Sequence, residues 1–257
     1  MSRPPAGIPQ ISGPSSGLEL TAVLGPVRAQ NAFEETVERL LTVIKLGVVA
    51  PGERFPAERE LAGLLGVSRI TLREAIRALQ LAGYVESRRG RFGGTFVIAT
   101  PPAPSRAELR RMAAEDADKI NDALTFRLAV ETGAAHVLAQ SVAARPADPG
   151  PGEVLRGRLA ALNAASPEEY RRMDTLFHLS IAELTGSSLL AAACADARMR
   201  LNDLLNAIPV LQRNIDHTTA QHTAIVAAIL AGDPGAAQRA IAEHLDGTAA
   251  LLRGFLE

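Results

Sequence analysis

The sequence predicts a mainly α-helical protein with two domains: a small helical domain ending in a β-hairpin, then an all-α bundle of six to seven helices. Three observations support this fold class. The length of 257 residues is more usual for two packed units than for one. Strand-like, β-branched sequence flanked by glycine is confined to residues 84–98. Beyond a proline-rich stretch, helical sequence with neither alternating strand patterns nor a fixed-period repeat fills the remainder.

Shifts in composition set the expected domain boundaries. Residues 1–28 are rich in Pro, Gly and Ser, and we expect a flexible tail there. The first domain then covers residues 29–99. Residues 100–105 contain three prolines and predict a stiff, extended linker that cannot join a helix. The second domain covers residues 106–257.

Two short helices joined by a turn of about three residues are predicted in the first domain. Pro56 fits an extended lead-in to the first helix, whose first turn carries Glu58 and Glu60. Gly66 follows as a left-handed stop, and Ser68 is a good N-cap for the second helix. The second helix has an apolar stripe formed by Leu72, Ala75, Ile76 and Leu79. This pattern is typical of a helix-turn-helix.

A basic stripe lies on another face of the second helix, at Arg69, Arg73 and Arg77. A recognition helix needs this division, with one face on the core and a basic face in the major groove. An ordinary amphipathic helix with a solvated arginine face is the alternative. The sequence that follows favours the recognition helix: a strand over 84–86, a basic glycine-rich turn over 88–94 and a return strand. Such a hairpin is a wing that can touch phosphates or the minor groove.

The string PGERFPAERELAGLLGVSRITLREAIRALQLAGYVESRRGRFGGTFV resembles the DNA-binding domain of GntR-family bacterial transcription regulators, over about residues 33–98. The resemblance implies a winged helix-turn-helix that binds a palindromic double-stranded DNA operator as a homodimer. Among the implied contacts, Arg69 and Arg73 are the expected base readers, because arginine pairs bidentately with guanine. The full set of implied DNA contacts is Arg59, Ser68, Arg69, Thr71 and Arg73, with Arg89 and Gly90 at the wing.

Charge, cysteine usage and hydropathy favour a DNA-binding protein over a disulfide-stabilised or membrane-spanning one. The net charge is only −1, but residues 54–91 carry eight arginines against four glutamates, a local basic surface suited to phosphate. The single cysteine, Cys194, rules out a disulfide framework within one chain and suits a reducing compartment. No apolar run approaches the ~20 residues of a membrane span, and no signal peptide is evident. We expect a cytoplasmic protein, associated with the nucleoid when bound to DNA.

Proline and glycine positions divide the second domain into candidate helices. The predicted helices cover residues 106–115, 117–142, 153–164, 167–185, 188–207, 209–231 and 235–255. We therefore expect a bundle whose core is built from the apolar faces of six or seven helices.

Four ionisable residues of this bundle are predicted to converge. Asp174 and His178 are four residues apart, so both side chains leave one face of a single helix. His222 and His244 each lie about 15 Å from the turn at 232–234, on the two helices that it joins. In an antiparallel hairpin the two histidines would face each other. Three imidazoles and a carboxylate suit Zn²⁺, Ni²⁺, Mn²⁺ or Fe²⁺, although a local Asp–His pair and packed histidines are the alternative.

The bundle also resembles a known ligand-binding domain. Arg127-x-x-x-Glu131, Asp174-x-x-x-His178, His222 and His244 match the pattern of the FCD domain of the FadR subfamily, over about residues 106–250. The resemblance implies that Asp174, His178, His222 and His244 hold a divalent transition metal, with Zn, Ni or Mn expected. It also implies that a small carboxylate effector completes the coordination.

Three further residues are candidates for effector binding. Arg127 is the one cation inside an otherwise apolar helical run, and a bidentate arginine–carboxylate contact would clamp an organic acid. A structural salt bridge with Glu131, four residues on, is the alternative for Arg127. Asn202 and Asn206 are also four residues apart and could line the same cavity.

Taken together, these features predict a dimeric transcription repressor whose operator affinity is controlled by a small organic acid bound at a metal centre. The two recognition helices must fit half-sites about one helical turn apart or a multiple of it, so a change in their spacing would weaken binding. Two alternatives stay open. A metal with open positions can also activate water or dioxygen, which would make the bundle an enzyme, although no general base or nucleophile is evident nearby. The bundle could also serve for dimerisation alone.

Overall fold

The computed structural model describes residues 32–90, 93–100, 117–207 and 212–256, with isolated positions at 20, 23, 24, 107, 108 and 111. In the first domain the elements are α1 (Ala32–Lys45), α2 (Glu58–Leu65), α3 (Arg69–Leu81), β1 (Val85–Arg88) and β2 (Gly94–Val97). In the second they are α4 (Ala117–Ala144), α5 (Gly150–Asn163), α6 (Pro167–Glu183), α7 (Ser188–Ala207), α8 (Gln212–Leu230) and α9 (Pro234–Leu256). The predicted fold class, a mainly α-helical chain with one hairpin, is confirmed.

Local capping signals position the helix-turn-helix. Gly66 adopts a left-handed conformation with φ 65° and ends α2. The Thr71 N–H donates to Ser68 Oγ at 3.0 Å, so Ser68 caps the start of α3. The stripe of apolar residues then faces inward, because Leu72, Ala75, Ile76 and Leu79 are all buried. Sequence-local chemistry thus fixes where the recognition helix begins and which face it buries.

The wing is a two-stranded antiparallel hairpin. Val85 pairs with Val97, and Arg88 pairs with Gly94 at the outer end of the ladder. The Arg88 guanidinium lies 4.4 Å from the centroid of the Phe96 ring, a cation–π contact across the strands. Arg54, just before α2, donates from Nη1 to the Gly93 carbonyl at 3.1 Å and so ties the wing to the helix-turn-helix. The hairpin tip between 90 and 93 lies outside the described residues.

The second domain is a bundle built around α4. This 28-residue helix packs against α6, α7, α8 and α9, while α5 packs against α6 and α8. Loops between the helices are short, and Gly232 ends α8 in a left-handed conformation that starts the turn to α9. The predicted helix at 106–115 and the predicted linker at 100–105 lie almost entirely outside the described residues. Among the described helices, none is long and apolar enough to cross a membrane.

One apolar core extends across both domains. It contains the buried residues of α1, α2, α3 and the strands, together with Leu176 and Leu179 of α6. Three residues of the segment predicted as a flexible tail, Leu20, Val23 and Leu24, are also buried in this core. Apolar spacing there, within a stretch otherwise dominated by Pro, Gly and Ser, accounts for the difference. At least these three residues therefore pack against the folded part of the chain.

Leu179 gives a test of the shared core. It is fully buried in α6, so Leu179→Ala removes apolar burial and leaves a cavity, and we expect a loss of about 2–5 kcal/mol in the free energy of unfolding. Leu189→Ala is the matched control because Leu189 is 83% exposed, and its effect should stay within about 0.5 kcal/mol. Chemical denaturation of both variants measures the difference. Equal losses in the two variants would contradict the packing described here.

Candidate functional site

The residues predicted to contact DNA lie at solvent-accessible positions of the first domain. Arg59 on α2, Arg69 and Arg73 on α3, and Arg89 and Gly90 on the wing are all exposed. Ser68 and Thr71 lie at the N-terminal end of α3, where the helix dipole favours a phosphate. Their roles in operator binding stay predictions, but none of these side chains is buried in the core.

An acidic residue from the first turn of α2 forms an ion pair with one of these arginines. Arg73 Nε donates to Glu58 Oε2 at 2.7 Å, although both side chains remain substantially exposed. An exposed ion pair of this kind contributes little to stability. Its consequence is geometric, because Glu58 on α2 sets the direction in which Arg73 leaves α3.

In the second domain, the four predicted metal ligands come together inside the bundle. Their ligand atoms all lie within 4.8 Å of one another. Asp174 Oδ1 is 3.7 Å from His178 Nε2 and 3.4 Å from His222 Nε2. His178 Nε2 is 3.1 Å from His244 Nε2, and the His222 and His244 rings lie 4.5 Å apart between centroids. All four residues are buried, with His222 fully so.

Neighbouring side chains orient two of the imidazoles. His178 Nδ1–H donates to Glu131 Oε2 at 2.6 Å, and His244 Nδ1–H donates to Gln221 Oε1 at 3.2 Å. In a neutral imidazole the other nitrogen then carries a lone pair. The two Nε2 atoms face each other at 3.1 Å, a spacing at which either a shared proton or a metal ion would occupy their lone pairs.

Burial and neighbouring charges give Asp174, His222 and His244 the protonation states that a metal requires. Burial would raise the pKa of Asp174, but His178 and Arg198 outweigh it and hold that pKa well below its ordinary value. Burial lowers the pKa of His222 to about 3, although Asp174 opposes the shift. Burial likewise holds the pKa of His244 well below its ordinary value. Asp174 is thus an anion while His222 and His244 are neutral, as metal ligands must be.

The residues fit a divalent transition metal. At a metal–ligand distance of about 2.1 Å, ligands at right angles lie about 3.0 Å apart and tetrahedral ligands about 3.4 Å, close to the spacings above. Among the described residues, neither ring nitrogen of the fully buried His222 has a hydrogen-bond partner. A buried polar atom without a partner is costly, and a metal would satisfy Nε2. Carboxylate oxygen with three imidazoles is also a donor set that such metals accept.

Two arginines complete the charged surroundings. Arg127 Nε donates to Glu131 Oε1 at 2.8 Å, so the pair considered in the sequence exists and is almost fully buried. Arg198 Nη2 donates to Asp174 Oδ2 at 2.7 Å, on the side of the carboxylate away from the histidines. Burial would raise the pKa of Glu131, but Arg127 and His178 outweigh it and hold it well below its ordinary value.

The candidate effector residues lie in different surroundings. Arg127 also lines a cavity of about 130 Å³ between α4 and α9, together with Asn121, Thr125 and Arg253. Asn202 is almost fully buried, one turn after Arg198 on α7. Asn206 is exposed near the C-terminal end of that helix. Their roles in effector binding stay predictions.

Two residues beside the centre were not predicted from the sequence. Arg198 lies within the buried stripe of α7, among Ala191, Ala195 and Leu205, and a cation inside an apolar helical stripe could have marked it. Gln221 precedes His222 on α8, and its contact with His244 depends on the packing of α8 against α9.

Comparison with known proteins gives two family matches. Residues 33–97 match the family described as bacterial regulatory proteins, gntR family, and residues 122–247 match the FCD domain. The two matches cover the helix-turn-helix with its wing and the bundle that contains the four ligands. They correspond to regulators, and they do not favour the enzyme alternative.

Two relatives from Escherichia coli agree with these matches. An Escherichia coli protein named as a regulator of the L-lactate dehydrogenase operon is 31% identical over 242 residues, covering 87% of each chain. The Exu regulon transcriptional regulator of Escherichia coli is 27% identical, covering 86% of this chain and 84% of its own. The solved structure of Escherichia coli McbR/YncC is 19% identical with a TM-score of 0.47, covering 87% of this chain and 98% of its own.

The exposed arginines of α3 give a test of DNA recognition. Arg69→Ala or Arg73→Ala removes a guanidinium suited to guanine, so we expect operator binding to weaken by about 1–3 kcal/mol and base preference to relax at one position. The operator is first selected from genomic fragments with wild-type protein, and affinity is then measured at physiological salt. Arg156→Ala, on an exposed position of α5, is the matched control. Wild-type affinity and base preference in both α3 variants would contradict the docking geometry.

Proposed function

Because the chain belongs to the GntR family of bacterial regulatory proteins and is a DNA-binding transcription regulator, we propose that a metal centre in its FCD domain controls operator binding. Asp174, His178, His222 and His244 would hold a divalent transition metal, with Zn²⁺, Ni²⁺ or Mn²⁺ as the candidates. The observation that carries this proposal is the convergence of four buried ligand atoms within 4.8 Å. A bound metal of this kind supplies an electrophilic centre that accepts carboxylate and hydroxyl oxygens.

The charges around the centre support an anionic effector. The guanidinium groups of Arg127 and Arg198 balance the carboxylates of Glu131 and Asp174 in the described core. A divalent cation would add two positive charges to that balanced set. Uncompensated charge is costly in a buried site. A small carboxylate would lower that cost, and one relative is named for the operon of L-lactate dehydrogenase, whose name contains such an acid.

The protein's own side chains prepare the site for this ligand. Glu131 and Gln221 accept hydrogen bonds from His178 and His244 and so keep the opposite nitrogens aimed inward. Arg198 occupies Asp174 Oδ2, which leaves Oδ1 for the centre. Arg127 extends from this network to the cavity between α4 and α9, which supports its proposed role as the carboxylate clamp. Asn202 and Asn206 are proposed as further contacts.

We also propose that the protein acts as a homodimer in the cytoplasm, on the nucleoid when DNA-bound, and that it represses its target. Two copies would present two recognition helices to a palindromic operator. The outer face of α4 supports an interface, since Phe126 and Val137 are both exposed. They are eleven residues apart, about three turns, and therefore lie on one side of the helix.

Metal content tests the centre. Untagged wild-type protein should hold near one metal ion per chain after loading with Zn²⁺, measured by elemental analysis of the dialysed protein. The double variant His222→Ala/His244→Ala loses two of the four ligands and should hold little. Circular dichroism of both proteins checks that the variant is folded. Equal metal content in the two proteins, or none in either after reloading with Zn²⁺, Ni²⁺ and Mn²⁺, would contradict the proposal.

Effector binding has a separate readout. Small hydroxycarboxylates such as L-lactate should raise the melting temperature of the zinc-loaded protein and not that of the double variant, because ligand binding stabilises only the form that binds it. Uncharged amides of the same acids are the matched ligand control. An amide that stabilises as well as its acid would contradict an anion-selective site.

Dimerisation is tested on α4. Phe126→Glu places a charge on the exposed apolar face, so sedimentation should show a shift from dimer to monomer. Arg156→Glu, which introduces the same charge at an exposed position of α5, is the control and should leave the dimer intact. A wild-type protein that sediments as a monomer would contradict the proposed assembly, and an unchanged Phe126→Glu dimer would move the interface elsewhere.

A further inference from the structure

Helix α6 touches both functional parts of the molecule. Asp174 and His178 leave the face that points into the metal centre. Arg172 and Leu176 lie two residues before each of them, about 200° around the helix, and therefore on the opposite face. Leu176 is buried in the core of the DNA-binding domain. A single rigid helix thus separates the centre from the first domain by little more than its own width.

Arg172 makes polar contacts across the domain boundary. Its Nε donates to the Gly47 carbonyl at 2.7 Å, and its Nη2 donates to the two oxygens of Glu53 at 3.2 and 3.1 Å. Gly47 adopts φ +68°, and a Cβ at this position would lie 3.1 Å from Arg172 Cγ. The close approach therefore depends on glycine. The Gly47 carbonyl follows the C-terminal end of α1, where the helix dipole favours a cation.

The turn bound by Arg172 is hydrogen-bonded to β2, a strand of the wing. Glu53 is fixed by a second contact, because the Ala50 N–H donates to its Oε2 at 2.8 Å. The Gly52 N–H donates to the Val97 carbonyl at 2.8 Å, and the Val97 N–H donates to the Glu53 carbonyl at 3.0 Å. Residues 46–54 therefore follow α1 in the chain and are hydrogen-bonded to β2. Arg172 of α6 binds this turn through its guanidinium group.

We propose that α6 couples the metal centre to the DNA-binding domain, with Arg172 as the residue that transmits the position of the helix to the turn at 46–54. This inference rests on the proposed metal centre. Drawing Asp174 and His178 toward a shared metal fixes the rotation and height of α6. The opposite face carries Arg172, Leu176 and Leu179. The same constraint therefore fixes the position of the surface against which the first domain packs. Close-packed contacts pass on such small shifts, because packed interfaces do not deform continuously.

Met173 strengthens this interpretation. Its side chain packs against the core shared with the first domain and also against the core of the bundle. It lies between Arg172 and Asp174 in sequence, so the two cores meet at the same turn of α6 that carries the polar contact and the first metal ligand.

Hydrogen–deuterium exchange with Zn²⁺ as the only added ligand tests the coupling in the full chain. Binding of Zn²⁺ to wild-type protein should slow amide exchange in residues 46–54 by on the order of fivefold or more, the lower range of allosteric coupling. Arg172→Ala should still hold near one Zn²⁺ per chain at saturation, but Zn²⁺ should no longer change exchange in that turn. Arg200→Ala is the matched control, because Arg200 pairs locally with Asp196 on the surface of α7.

Glu53→Gln keeps the protein testable if Arg172→Ala fails to fold. It preserves an acceptor for Arg172 and removes the charge, so we expect a reduced but measurable response of the turn to Zn²⁺. Metal bound to wild type without slower exchange at 46–54 would overturn the coupling and leave the metal centre intact. An undiminished response in Arg172→Ala would overturn the role of Arg172. A wild-type protein that binds no metal would overturn both proposals.

Discussion

The balance of buried charge inside the bundle is the constraint on which the second domain depends. Arg127, Glu131 and Arg198 are almost fully removed from water, and Asp174 is buried beside them. A charge in such surroundings is tolerated only with close partners, and removing one partner of a buried pair costs about 3–5 kcal/mol. The network therefore ties α4, α6 and α7 together at one level of the bundle. It also holds His178 in the tautomer that a metal centre needs.

The same network explains why the centre is polar in a core that is otherwise apolar. Alanine and leucine dominate the surrounding cluster, with Phe177 and Ile225 fully buried next to the histidines. An apolar surrounding excludes water and strengthens each electrostatic contact, so the donors keep their orientation without a ligand. These contacts orient the rings, and a bound metal would then draw the four ligand atoms together, which suits a site that reports occupancy.

The first domain distributes its charges in the opposite way. Its arginines lie on the outside of α2, α3 and the wing, where water and phosphate can reach them. Their acidic partners, such as Glu58 beside Arg73, are also exposed. Such pairs add little stability and mainly orient the arginine side chains. The regulator thus combines a solvent-facing basic surface for DNA with a buried neutralised cluster for a ligand. Helix α6 contributes Asp174 and His178 to the buried cluster, and Leu176 and Leu179 to the core shared with the first domain.

The sequence by itself determined the helix-turn-helix, the wing and the described helices of the bundle, although it did not single out α1. The stop at Gly66, the cap at Ser68 and the buried stripe of α3 are short-range patterns, and each is present as expected. The i, i+4 pair Asp174–His178 and the equal distances of His222 and His244 from their turn were sufficient to group four residues. These features follow from helical periodicity and capping. Both act over a few residues, so they can be recognised in a single sequence.

Only the tertiary structure decided which helices meet. Arg198 reaches Asp174 from 24 residues away, and Arg172 reaches Glu53 and Gly47 from 119 and 125 residues away. The burial of Leu20, Val23 and Leu24 in a segment expected to be a flexible tail belongs to the same class. Such contacts depend on the crossing and rotation of packed helices, which are set by the sum of many weak side-chain contacts rather than by any local pattern.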